Sequence, residues 1–135
     1  KNIENLTLVL NSRAEWRKYT IDGHKKYVEY QEQLRKNLGP KSPAIYNGMA
    51  WEIYQRIRLG LSKDKKSDIK KLVEYSKADV AAYNDASAYA LRALVEFRYG
   101  SKDCEKTKSF LKKAIDAGGS VDTFFNCWFN IQKMF

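Results

Sequence analysis

Proline is scarce in this 135-residue chain, with two residues, and glycine contributes only seven. So few forced breaks favour long helices over a turn-rich sheet fold. Two cysteines, Cys104 and Cys127, are too few for a disulfide scaffold or a thiolate metal site. They read as free buried thiols, with a single bridge in an oxidising compartment as the other reading. The one histidine, His24, precedes Lys25 and Lys26 and reads as a surface side chain, with no nucleophile arrangement beside it. No His/Cys/Asp/Glu spacing suits a metal, and no glycine-rich loop is built to cradle phosphate. The sequence thus points to no catalytic residue, no metal site and no cofactor. The longest apolar run, Thr7-Leu8-Val9-Leu10, is far too short to span a bilayer. The chain opens at Lys1 and not at a methionine, which predicts a processed or trimmed product and leaves the compartment open. Asn5-Leu6-Thr7 fits the glycosylation sequon, a motif short enough to arise by accident.

What is abundant is aromatic and basic. There are nine Tyr, six Phe and three Trp, and 25 Lys and Arg against 16 Asp and Glu, for a net charge of +9. The apolar and charged fractions, 44% and 30%, are those of a globular chain with enough length for one real core. The charge favours acidic partners, whether a protein surface, an anionic membrane or nucleic acid, or else serves solubility alone.

Hydrophobic spacing divides the chain into helices. Residues 1–11 alternate at Leu6, Leu8 and Leu10, which predicts a short strand or irregular arm. Ser12-Arg13-Ala14-Glu15 fits a capping box. Beyond it Trp16, Tyr19, Gly23, Tyr27, Tyr30, Leu34 and Leu38 make one stripe of a helix ending at Gly39-Pro40. Ser42 and Pro43 start a second helix that closes at Gly60. Ser67 caps a third, with Ile69, Leu72, Val73, Tyr75, Ser76, Ala78 and Val80. A fourth spans about Tyr83 to Tyr99 before Gly100, and a fifth about Cys104 to Ala117. A sixth, capped by Ser120, carries Val121, Phe124, Phe125, Trp128, Ile131 and Met134. Short turns between six helices imply an antiparallel all-α stack.

Ala44, Tyr46 and Asn47 recur as Ala81, Tyr83 and Asn84 at an offset of 37, and "FFN" at 124–126 offers a third start. A period near 36 with two helices per unit is the mark of a helical-repeat solenoid. The stretch "ALRALVEFRYGSKDCEKTKSFLKKAIDAG", residues 90–118, resembles a tetratricopeptide repeat: Ala93, Gly100, Leu111 and Ala114 match, and Thr107 stands where Ala is usual. In the preceding unit Ala78 and Tyr75 fit, but "LGLSKDKKSD" lengthens its turn. The resemblance implies an all-α fold of antiparallel hairpins stacked as a short tetratricopeptide-like α-solenoid of about six helices. Residues 1–11 form an arm before one domain over 12–135, with repeats near 43–80 and 81–118 and a capping helix over 120–134.

Such stacks hold an extended segment on the face lined by the first helix of each pair. That implies a non-enzymatic module for a peptide or protein partner, here an acidic one. Asn47, Asn84 and Asn126 are the expected peptide-binding residues because an amide both donates to and accepts from a backbone. Trp51 and Tyr54, one and two turns beyond Asn47, complete the expected site. Packing is the competing reading of the same aromatic residues. The alternative function is a basic accessory domain that contacts nucleic acid or an anionic surface through "KDKKSDIKK" (63–71) and "KDCEKTKSFLKK" (102–113).

Overall fold

The computed structural model describes residues 2–100 and 104–118. Among them lie six helices and no strand: α1 (Asn2–Arg17), α2 (Ile21–Leu38), α3 (Ile45–Arg58), α4 (Lys65–Ala82), α5 (Ala86–Tyr99) and α6 (Cys104–Asp116). The all-α class and the expected number of helices hold, and adjacent helices pack, α1 on α2, α2 on α3 and α5 on α6. The chain divides into two compact units, Lys1–Leu72 and Val73–Phe135, with the boundary inside α4. The expected capping helix over 120–134 lies outside the described residues, as do Asn126 and Cys127.

The N-terminal expectation needs correction. The alternating leucines belong to α1, where Leu8 is buried and Leu6 and Leu10 are exposed. Ser12 caps nothing: it is fully buried inside α1, and its hydroxyl donates to Val9 O at 2.8 Å. The long helix expected over 12–37 is broken at Lys18–Thr20. Lys18 N and Tyr19 N bond back to Glu15 O and Trp16 O, a tightened last turn, and Tyr19 takes a left-handed φ of 55°. Thr20 is extended and accepts Gly23 N at 3.0 Å, so it is the N-cap of α2. Gly23 is what lets the hairpin close: a Cβ there would lie 2.6 Å from Glu15 O. The stripe Trp16–Tyr19–Gly23–Tyr27 runs at spacings of three and four across a turn, which is why periodicity reads straight through the break.

The remaining boundaries shift by a few residues. α3 begins at Ile45, after a turn in which Ser42 Oγ accepts Ala44 N at 3.3 Å. At its end Leu61 N bonds to Arg56 O and Gly60 N to Ile57 O, a Schellman pattern. Asp64, not Ser67, caps α4, its Oδ1 accepting Ser67 N at 3.1 Å. Asp85 caps α5 by accepting Ala88 N at 2.9 Å.

These caps dissolve the repeated Ala-x-Tyr-Asn stretch. Tyr46 and Asn47 sit in the first turn of α3, whereas Ala81 lies in the last turn of α4 and Tyr83 and Asn84 lie in the link before α5. Asp85, one residue after Asn84, starts that helix instead. The tetratricopeptide-like positions of the second unit are nevertheless packing positions. Ala93, Leu111 and Ala114 join Ala90 in the core between α5 and α6, flanked by Ala86, Tyr89, Phe97 and Phe110. Small residues let the two backbones approach, and Arg92 stacks over Phe110 at 4.8 Å while pairing with Glu96 at 3.0 Å. Arg92 and Glu96 are both buried. No helix among the described residues is long and apolar enough to cross a membrane.

Gly23→Ala is expected to destabilise the first unit by about 1–3 kcal/mol, because backbone must move to relieve the contact. Lys26→Ala, three residues beyond Gly23 and exposed, is expected to stay within about 0.5 kcal/mol. Urea unfolding of the two variants beside the parent chain measures both.

Candidate interaction surface

The inner face of α2 is unusually polar. Its buried residues are Gly23, His24, Tyr27, Gln31 and Leu34, so successive turns present an imidazole, a phenol and an amide to their neighbours. Each finds a partner on α1 or α3. Gln55, with no exposed surface, donates through Nε2 to Trp16 O at 2.8 Å and turns its Oε1 to His24 Nδ1 at 3.0 Å. With the amide oriented that way, the proton of the imidazole belongs on Nδ1. His24 is therefore a core histidine, 5% exposed, and not the surface residue its lysine neighbours suggest.

One turn on, Tyr27 OH donates to Gly48 O at 3.0 Å. Burial first, then the nearby Glu52, pushes this phenol well above its ordinary range and keeps it a donor. Gln31 Nε2 donates to Ser12 Oγ at 3.0 Å, tying α2 to α1. Gln31 also lies over Gly48, where any Cβ would strike its amide, so the small residue lets α3 close on α2.

Charges complete the unit. Glu52 is buried between Arg35 at 3.4 Å and Arg56 at 3.6 Å. Burial raises its carboxyl above the usual range, and the two arginines only partly offset that. Arg56 reaches on to Asp68 in α4 with two hydrogen bonds of 3.0 and 2.8 Å, and Ser62 adds a third at 2.6 Å. Hydrogen bonding from Arg56 outweighs burial and, with Ser62, holds Asp68 below the ordinary carboxylate range. A wide depression of about 440 Å³ lies at the end of α2, lined by Glu32, Arg35, Lys36, Pro40 and Ile45. Among the described residues no group of His, Cys, Asp and Glu is arranged to hold a metal.

Where α1 ends against α3, four aromatic rings meet edge to face. Tyr19 and Trp16 centroids are 5.4 Å apart, Trp16 and Trp51 5.3 Å, and Trp51 and Tyr54 5.8 Å. Trp16 Nε1 donates to Trp51 O at 3.0 Å, which locks the middle pair. Exposure falls along the row: Tyr19 is 40% exposed, the tryptophans are half-buried and Tyr54 is 5% exposed.

Three expected site residues thus share one stripe of α3, with different standing. Asn47 is half-buried one turn before Trp51, and Trp51 opens partly to solvent. Tyr54 is the inner member of the row, buried against Trp51. Asn84 belongs to the second unit, lies outside any helix and accepts Tyr89 OH at 3.0 Å. Trp16 and Tyr19 join the surface unannounced, since the Trp16–Trp51 contact spans 35 residues and Tyr19 enters only through Trp16. The one signal that marks the break is Thr20 followed by Asp22, a cap with an acidic first turn.

No family model matches the chain, and no curated protein or solved structure matches it either.

Asp68→Asn is expected to lower stability at pH 7 by about 1.5–3 kcal/mol, the range for hydrogen bonds to a charged group. A carboxyl depressed in the folded state stabilises above its unfolded value near 4 and loses that contribution as pH falls through the lower folded value. The gap between parent and variant therefore closes in acid below about pH 4. Glu52, raised in the folded state, acts with the opposite sign in both proteins and cancels from the difference. Thermal unfolding from pH 2.5 to 7 reads the gap, on the order of the range over which such a group titrates.

Proposed function

We propose that the chain is a non-enzymatic interaction module that binds a peptide or protein partner of acidic character. The observation that carries this reading is the row Tyr19–Trp16–Trp51, part-exposed and fixed by edge-to-face contacts and the Trp16–Trp51 hydrogen bond. Rigid aromatic side chains that need little further ordering are the usual anchors of binding surfaces. Asn47 stands one turn from Trp51 with an amide able to meet a peptide backbone, and Tyr54 supports the row from behind.

Charge supports the acidic character of the partner. Glu52, Asp68 and Glu96 are buried in pairs with arginine, and Asp79 is buried as well. Lysines behave in the opposite way: Lys18, Lys25, Lys26, Lys36, Lys41 and the cluster Lys63, Lys65, Lys66, Lys70 and Lys71 are all exposed. Four carboxylates are thus withdrawn from a surface on which exposed lysines outnumber the exposed Asp and Glu, and Arg17 and Lys18 stand exposed beside Trp16 and Tyr19.

Selection from a random peptide display library tests the reading, with affinities taken by fluorescence polarisation. Enriched peptides are expected to carry Asp or Glu beside an apolar residue. Tyr19→Asn, which tolerates the left-handed backbone, and Trp51→Ala are each expected to weaken them about tenfold or more. Enrichment indifferent to both substitutions rejects this surface. Tight binding of random single-stranded DNA at low salt, falling steeply as salt rises, favours the basic accessory domain instead.

A further inference from the structure

The first two turns of α4 and the residues just before them carry a dense group of cations that the fold does not use. Lys63, Lys65, Lys66, Lys70 and Lys71 are all exposed. Both acids of the same stretch are already engaged. Asp68 is buried, bonded to Arg56 and Ser62, with Lys71 also in its field. Asp64 gives one oxygen to Ser67 N as the cap of the helix. Lys63, Lys65, Lys66 and Lys70 form no ion pair among the described residues. Lys65 and Lys66 moreover oppose the helix macrodipole, while the last turn of α4, where a cation would stabilise, has none. Helix stability therefore does not account for the cluster.

We propose that this cluster is a docking surface for duplex nucleic acid, held through its phosphates. Residues 58–71 contain no aromatic side chain on which the bases of a single strand could stack. Their large apolar side chains are Leu59, Leu61 and Ile69, all half-buried, which leaves no anchor for a bilayer and no core for a protein interface. The lysines also surround the helix. At about 100° per residue, Lys66 and Lys70 fall opposite the buried line of Asp68 and Leu72, with Lys65 and Lys71 to either side of it. A flat surface meets only the outer pair, whereas the two phosphate backbones that border a groove meet the flanks as well. Glu74, exposed one turn on, ends the patch. The cluster shares no residue with the aromatic row, so it stands independently of the peptide reading.

Fluorescence anisotropy of random-sequence duplexes of about 20 base pairs, titrated with the 135-residue chain from about 20 to about 200 mM salt, is the test. The logarithm of affinity is expected to fall linearly with that of salt, with a slope of about −3.5 to −4.5 for four or five lysines. Lys66→Gln with Lys70→Gln is expected to flatten the slope by about 2 and to weaken binding about tenfold or more at low salt. Lys25→Gln with Lys26→Gln removes the same charge from exposed positions of α2 and is expected to leave the slope within about 0.5. All four positions are exposed, so circular dichroism melts of both variants should overlay the parent chain and separate lost binding from lost fold. DNA and RNA duplexes share the phosphate chemistry, and either supports the proposal by binding tighter than its own single strand. No duplex binding at the lowest salt overturns it. So does equal loss from the two double variants, which assigns the effect to net charge, or a single strand bound as tightly as the duplex. Vesicles containing phosphatidylserine that bind as tightly as the duplex overturn it in favour of a membrane surface.

Discussion

Gln55 is the constraint on which the first unit depends. Its amide has no access to water, so each of its polar atoms must be satisfied from within the protein. The donor serves the last turn of α1, at Trp16 O, and the acceptor serves His24 on α2. Three helices are thereby held by one side chain, and none can rotate or slide by a residue without stranding a buried polar group. Leaving such a group unpaired costs about 1–3 kcal/mol, which is large beside the marginal stability of a small unit. The carbonyl that Gln55 takes belongs to Trp16, so the same bond fixes the orientation of the aromatic row. A core requirement and the geometry of the candidate surface are here one interaction.

The second unit solves its packing by other means. Between α5 and α6 the core is built from alanines around Leu111, and shape is specified by how close two backbones can come. Polar burial there includes the Arg92–Glu96 pair and Thr107, with Arg92 also over the face of Phe110. A buried ion pair of this kind is weak evidence for stability, since desolvation opposes the attraction, but removing either partner leaves an uncompensated charge. In the first unit specificity is distributed over amide, phenol and imidazole. Among the described residues of the second, small side chains set the approach of α5 and α6, and the Arg92–Glu96 pair is buried beside them.

Helical class and the packing positions of the α5–α6 hairpin were legible because they rest on local periodicity. Ala93, Leu111 and Ala114 announce themselves by size and spacing, and Gly39 and Gly60 by the end of a stripe. The α1–α2 break was not legible, because Tyr19 and Gly23 keep the stripe in phase through a turn, and Thr20-Ile21-Asp22-Gly23 lacks the glutamate of a capping box. The Ala-x-Tyr-Asn match misled for a related reason. Four shared letters carry no information about which neighbour caps a helix, and Asp85 decides that for α5. His24 was misplaced because its sequence neighbours are lysines. On a helix the neighbours that matter are one or two turns away, and there the residues are Thr20, Tyr27 and Gln31.

Among the residues expected to bind, the fold separates contact from support by depth. Trp51 and Tyr54 are three apart on α3 and equally apolar, yet only the outer ring retains access to solvent. α1 ends just there: Trp16 packs on Trp51, which stays half-buried, and Tyr19, with its left-handed backbone, extends the row beyond the helix. A continuous helix over 12–37 would have no such end and no such row. The hairpin break that periodicity conceals is therefore what creates the surface, and the candidate site is a product of the turn at Lys18–Thr20 rather than of any repeat.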